Sequence, residues 1–239
     1  MIFFSPIMSI LGIYVLAAVL PAFFLLRYIY KMDMVEKEPG YLLWALLLAG
    51  VLAALASIVL ENIGSVIINS TLDNSDPYYY IIFAFLVVAV VEEGTKLFFL
   101  KRRSWRDPNF NFMFDGIVYS VFVSLGFAAF ENIKYVFTYG LSVAMPRALL
   151  AVPGHLGFAV FMGIFYGRAK LCESRGQYFA SKVNMAMGYV AAVFLHGFYD
   201  SCCMIGTKQA TTVFVAFVVA MYFIVFHMIK RASQTDRPV

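Results

Sequence analysis

The chain has 239 residues, of which 62% are hydrophobic and 13% charged, with mean hydropathy +0.82 and formal net charge +4. A soluble domain is roughly 45–50% apolar and about 25% charged, so the composition excludes one. It predicts an all-α polytopic membrane bundle, a single domain over 1–239, with basic residues clustered between apolar runs and no sign of nucleic-acid binding.

A spanning helix needs roughly 20 apolar residues. Seven runs qualify: 3–29, 41–69, 78–100, 112–139, 145–168, 183–206 and 210–230. The first has no basic stretch before it, and Arg27 and Lys31 follow it. A cleaved signal has the reverse order, so this run is expected to be a permanent anchor with its N-terminus outside. The breaks carry turn chemistry: Glu38-Pro39-Gly40, Asp73 to Pro77, Asp107-Pro108-Asn109 and Gly206. In the fifth run Pro146 and Pro153-Gly154 predict a kink just before His155.

Lys and Arg concentrate in alternate connections, at 101–106, 168–182 and in the tail. The positive-inside bias then places those connections and the C-terminus in the cytoplasm. Gly163 and Gly167, with Ala151 and Gly154 nearby, suit close helix contacts. Cys172, Cys202 and Cys203 lack metal spacing and read as small apolar residues.

Against this background the ionisable residues inside the runs stand out. A charge at bilayer depth costs about 2.5–3.5 kcal/mol on insertion scales. The third run holds Glu92, Glu93 and Lys96. Glu92 and Lys96 are one turn apart and share a face, while Glu93 is turned about 100° away. One glutamate would be structurally paired and the other chemical; the bland alternative is an ion pair between helices. The fourth run places Phe127, Glu131 and Tyr135 on one face, with Lys134 a possible partner for Glu131. His155 follows the proline kink, and His196 lies one turn from Asp200, which can orient the imidazole or join it as a second ligand. At 1.5 Å per residue, Glu131, His155 and His196 lie roughly 12–15 Å below the outer ends of their runs and Glu93 about 20 Å. They can converge in the outer half of the membrane or near its midplane. Asp115 reads as a helix N-terminal charge, His227 as interfacial, and Glu61 has no assigned role.

Buried carboxylates with two imidazoles form a water-activation set: a glutamate base, and a metal or imidazolium to stabilise the oxyanion. Zinc suits three N/O ligands with one open position, although no H-E-x-x-H is present. No G-x-S-x-G or rhomboid-like Ser/His pattern appears either, and the G-x-G-D partner of a presenilin-type aspartyl protease is missing.

Five ordered motifs carry a resemblance. They are Glu92-Glu93-x-x-Lys96, Phe114-Asp115-Gly116-Ile117-x-Tyr119, Gly126-Phe127-Ala128-x-x-Glu131-Asn132-x-x-Tyr135, His155 followed by Gly163, and His196-Gly197-x-x-Asp200. Together with Asp33-x-x-Glu36-x-Glu38-Pro39 they resemble the PrsW family of bacterial intramembrane proteases, over about 33–200. That family is distantly similar to CAAX prenyl endopeptidases, which have His where this chain has Glu131. The resemblance implies site-1 cleavage of a single-pass membrane protein of the anti-sigma factor type, in the bacterial cytoplasmic membrane. Glu92 and Glu93 match the essential pair, and His155 and His196 the motif histidines. The catalytic set is then Glu92, Glu93, Glu131, His155 and His196, with Glu93 or Glu92 as base. Glu131, His155, His196 and Asp200 would hold any zinc, or Glu131 and the histidines would polarise the scissile carbonyl while Asp200 orients His196. The competing readings are a proton- or ion-coupled transporter, a CAAX-type protease reached from the cytoplasm, and a non-catalytic partner that binds another helix through its polar core.

Overall fold

The computed structural model describes residues 6–76 and 78–239, so residues 3–5 of the first expected run and Pro77 of the second break lie outside it. Among the described residues, seven helices run up and down. They are α1 (Pro6–Met32), α2 (Gly40–Thr71), α3 (79–104), α4 (Asp115–Tyr139), α5 (Leu141–Ser174), α6 (Tyr178–Ile205) and α7 (Lys208–Gln234). Six are long and apolar enough to span a bilayer. The exception, α3, is long enough, but Glu92, Glu93, Lys96 and Lys101 to Arg103 dilute its apolar character.

Two helices are irregular where they approach the polar residues. In α3 a π-helical stretch, Phe83–Ala89, precedes the α-helical Val90–Ser104. In α5 a second one, Arg147–Ala151, precedes Val152–Ser174. The expected disturbance before His155 is therefore a wide turn between Pro146 and Pro153. Such bulges rotate the following residues relative to a regular helix. At 32 residues, α2 is about 48 Å long and must tilt or project.

The centre of the bundle is α4, whose apolar stretch is 78% buried against 11% for α1. It packs on α1, α2 and α5. Close approach to α5 depends on glycine: a Cβ on Gly163 would stand 2.6 Å from Ile117 Cα, and one on Gly116 would stand 2.6 Å from Gly167 N. Small residues at four-residue spacing thus let two backbones touch. The outer faces of α1, α2 and α7 expose Leu16, Phe23, Leu52, Val66 and Phe223, as lipid-facing surfaces do.

All Lys/Arg-rich connections lie at one end, called here the basic end. The C-terminal residues close it: Met113 N donates to Arg237 O (3.0 Å), Val239 N to Asn111 O (2.9 Å) and Phe114 N to Asp236 Oδ1 (2.9 Å).

Candidate active site

The bundle gathers ionisable residues from α3, α4, α5 and α6 into one buried cluster. Its hub is Lys96, 2% exposed. The Lys96 ammonium donates to Glu92 Oε2 (3.2 Å), Glu93 Oε1 (2.8 Å) and His155 Nδ1 (3.2 Å), and lies 4.0 Å from the Phe127 ring centre. Spacing alone pairs Lys96 with Glu92. The structure pairs it with both glutamates, because a four-carbon stem reaches the i−3 neighbour as readily as the i−4 one.

Hydrogen bonding fixes the tautomer of His155 and the orientation of His196. An ammonium has only donors, so His155 Nδ1 accepts, and Nε2–H donates to Glu131 Oε2 at 3.0 Å. His196 Nδ1 lies 2.9 Å from Glu93 Oε1 and donates to that carboxylate. His196 Nε2 then faces Asp200 Oδ2 (3.4 Å) and Glu92 Oε2 (3.9 Å). Glu93 thus holds one nitrogen of His196, and Asp200 stands by the other. Phe158 stacks on the His196 ring at 4.8 Å.

A cavity of about 520 Å³ adjoins the cluster, lined by Glu61, Glu92, Glu131, His155, His196 and Asp200 among others. Glu93, 1% exposed, lies behind this wall. Lys134, Tyr135, Pro146, Arg147 and Met204 carry the lining toward the end opposite the basic one. His227 is exposed and Asp115 lies at the N-terminus of α4, both away from the cavity. Cys172, Cys202 and Cys203 are free thiols.

Sequence reasoning missed Arg147. Its guanidinium donates to Glu131 Oε2 (3.0 Å) and Asn132 Oδ1, and stacks 3.8 Å over Tyr135. Asn132 in turn donates to Ala18 O (2.9 Å) and ties α1 to the site. Glu131 is paired with Arg147 and His155, not with Lys134. The available signal was an arginine just inside the outer end of the fifth apolar run, at an end otherwise poor in positive charge.

Glu92, Glu93 and His155 form the one compact metal-ligand group among the described residues, with one candidate ligand atom from each lying within 4.8 Å of the others. Two carboxylates and an imidazole suit a zinc-type ion with an open position. In this arrangement the Lys96 ammonium bonds all three. Of the ligands expected from sequence, Glu131 with His155 and His196 with Asp200 form two pairs, and only His155 belongs to the compact group.

Comparison with known proteins meets this geometry. The chain matches the family described as PrsW family intramembrane metalloprotease over residues 38–228. It is 32% identical to Protease PrsW of Oceanobacillus iheyensis over 220 residues, 91% of this chain and 95% of that protein. It is also 32% identical to Protease PrsW of Geobacillus kaustophilus over 225 residues, 93% of each chain. Protease PrsW of Clostridioides difficile is 29% identical over 228 residues. No solved structure matches it. The matched span contains every residue of the buried cluster, and the chain belongs to the PrsW family of intramembrane metalloproteases.

Proposed function

We propose that this membrane protease hydrolyses a peptide bond of a single-pass membrane protein of the anti-sigma factor type, using water activated by a glutamate. The observation that carries the reading is the convergence of Glu92, Glu131, His155 and His196 on one cavity, with Glu93 and Lys96 behind it. The substrate class rests on family resemblance. With the basic end in the cytoplasm, the cavity faces the outer half of the membrane, which favours cleavage on that side over a CAAX-type site reached from within.

Each residue then has a separable task. Glu92 lines the cavity and is the base that takes the proton of the attacking water. Glu93 fixes His196 with Nδ1 protonated, so that Nε2 faces the cavity side. Lys96 balances the two carboxylates. The Arg147 guanidinium and the neutral Nε2–H of His155 both donate to Glu131 at the cavity wall, and these are the donors a polarised carbonyl there would draw on. Zinc held by Glu92, Glu93 and His155, or by the Glu131, His155, His196 and Asp200 set, would supply a Lewis acid for that carbonyl or for water. At the compact group, the Lys96 ammonium would have to withdraw.

The test is co-expression with single-pass anti-sigma factors, comparing wild type with Glu92→Gln at matched membrane levels. Cleavage only by wild type, mapped to the outer side of the substrate helix, is the expected result. Equal cleavage by both proteins would remove Glu92 as base. Metal analysis of the purified protein, with Glu131→Gln and Glu93→Gln compared, distinguishes the two ligand sets.

A further inference from the structure

A groove with two kinds of wall lies at the basic end, between α5, α7 and the start of α4. One side of α5 presents Phe161, Ile164, Phe165 and Arg168 to it, and one side of α7 presents Met228, Arg231, Ala232 and Thr235. Both sets have the i, i+3, i+4, i+7 spacing that lines up one face of a helix. Met113, Phe114 and Ile117 form the floor, and Asp236 and Arg237 close the end. The volume is about 620 Å³, within the roughly 300–1,000 Å³ of sites for small organic ligands. His155 lies thirteen residues back along α5 from Arg168, about 20 Å away, so the groove is separate from the protease cavity.

Two features set it apart. The first is the order of its walls. Both α5 and α7 end at the basic end, so Phe161, Ile164 and Phe165 lie on the membrane side of Arg168, and Met228 lies on the membrane side of Arg231. Phe161 is about 10 Å deeper than Arg168. The second feature is charge. Three arginines line the groove against one aspartate, and among the described residues no carboxylate pairs with Arg168, Arg231 or Arg237. Elsewhere at this end Arg103 pairs with Asp107 (2.9 Å) and Lys170 with Glu173 (3.6 Å). Asp236 turns its Oδ1 to the backbone nitrogens of Phe114 and Arg237 instead. The arginines are nevertheless positioned. Arg168 Cζ lies 5.4 Å from the Phe165 ring centre, within cation–π range. Met113 N donates to Arg237 O (3.0 Å), which fixes the tail against the start of α4. Arg237 Nε donates to the Met113 thioether (3.1 Å), a weak acceptor, and this leaves the two terminal nitrogens for an anion.

We infer that this groove binds an anionic glycerophospholipid of the surrounding membrane, with its phosphate on Arg168, Arg231 and Arg237 and its acyl chains along Phe161, Phe165 and Met228. Guanidinium forks match phosphate oxygens in geometry as well as in charge, and basic pockets between spanning helices at the cytoplasmic side suit acidic headgroups. An apolar wall directly below the arginines does nothing for a free phosphate, whereas lipid chains fill it. The apolar stretch of α7 is only 28% buried within the bundle, so lipid in this seam adds to what holds the helix. Because α5 also carries Arg147 and His155, an occupied groove braces a helix of the active site from its far end.

The test uses full-length protein released from detergent micelles for native mass spectrometry, titrated with phosphatidylglycerol, phosphatidylcholine and inorganic phosphate. One phosphatidylglycerol is expected to bind at least tenfold more tightly than phosphatidylcholine, and millimolar phosphate should leave it in place. Arg168→Gln combined with Arg231→Gln should reduce phosphatidylglycerol binding to the phosphatidylcholine level. Both side chains are exposed, so the variant should melt as wild type does. Ala232→Trp, which fills the groove and keeps every charge, should weaken phosphatidylglycerol binding severalfold. Arg102→Gln combined with Arg106→Gln, at the same end but outside the groove, should bind as wild type does. Equal affinity for the two lipids overturns the inference. So does phosphatidylglycerol binding that survives both the Arg168/Arg231 pair and Ala232→Trp. An equal loss in the Arg102/Arg106 pair also overturns it, since the whole basic face would then attract lipid without a site. Displacement by millimolar phosphate would mean a site for free anions and would overturn the lipid as its occupant.

Discussion

The two ends of α4 hold carboxylates in opposite kinds of environment. At the cavity, Glu92 and Glu93 share Lys96, Glu93 also holds His196, and Glu131 sits between Arg147 and His155. At the basic end, among the described residues, no cationic side chain pairs with Asp33, Glu38 or Asp115, and Asp33 and Glu38 each have an oxygen without a close partner. Both groups are buried, so burial alone does not mark a catalytic site. The difference is that the cavity cluster carries its own counter-charges and can keep its geometry through a reaction cycle. The other must obtain its balance from protons.

Removing the hub would make the first cluster resemble the second. Lys96→Met leaves two buried carboxylates without their ammonium, and breaking a buried pair in this way costs about 3–5 kcal/mol. The expected result is a large loss of folded protein in thermal unfolding in detergent, partly restored by adding Glu93→Gln. Full restoration by Glu93→Gln alone would show that Glu92 has no need of Lys96. Glu92→Gln leaves the hub and removes the cavity-facing base, so cleavage should fall about 10²–10⁴-fold while the melting temperature changes little.

Much of this was legible in the chain. The seven helices follow from composition, because apolar runs of spanning length have few alternatives. The cavity residues showed themselves because charges are costly at that depth. Arg147 did not, since an arginine near a span end reads as a loop residue until the π-helical turn carries it back over Tyr135. The shared role of Lys96 was hidden by side-chain reach, which helical spacing does not encode. The acid group was hidden for another reason. Asp33, Glu38 and Asp115 each have an ordinary local reading as a helix end or turn, and only the packing of α1, α2 and α4 brings them together.

Arg147 tests how far counter-charge at the cavity extends beyond Lys96. Arg147→Gln loses a charge-assisted bond to Glu131, worth about 1.5–3 kcal/mol, so kcat/KM should fall roughly tenfold to a hundredfold. Arg147→Lys should recover only part, since a lysine cannot reproduce the fork and the stacking on Tyr135. If activity is unchanged in Arg147→Gln, the positive charge at the cavity mouth has no part in catalysis.

The smallest effect tests the other end. Burial pushes the Asp33 carboxyl up to about 6 and the Glu38 carboxyl up to about 7, against ordinary values of about 3.9 and 4.3. Between those limits the folded chain holds protons that the unfolded chain has released, so stability falls as pH rises from about 4 to about 7 and then levels off. The melting temperature of wild type should decline by a few degrees across that window, and Asp33→Asn should flatten the decline. A decline that Asp33→Asn and Glu38→Gln both leave intact would have to come from other carboxylates, and the contrast between the two ends of α4 would then lose its energetic basis.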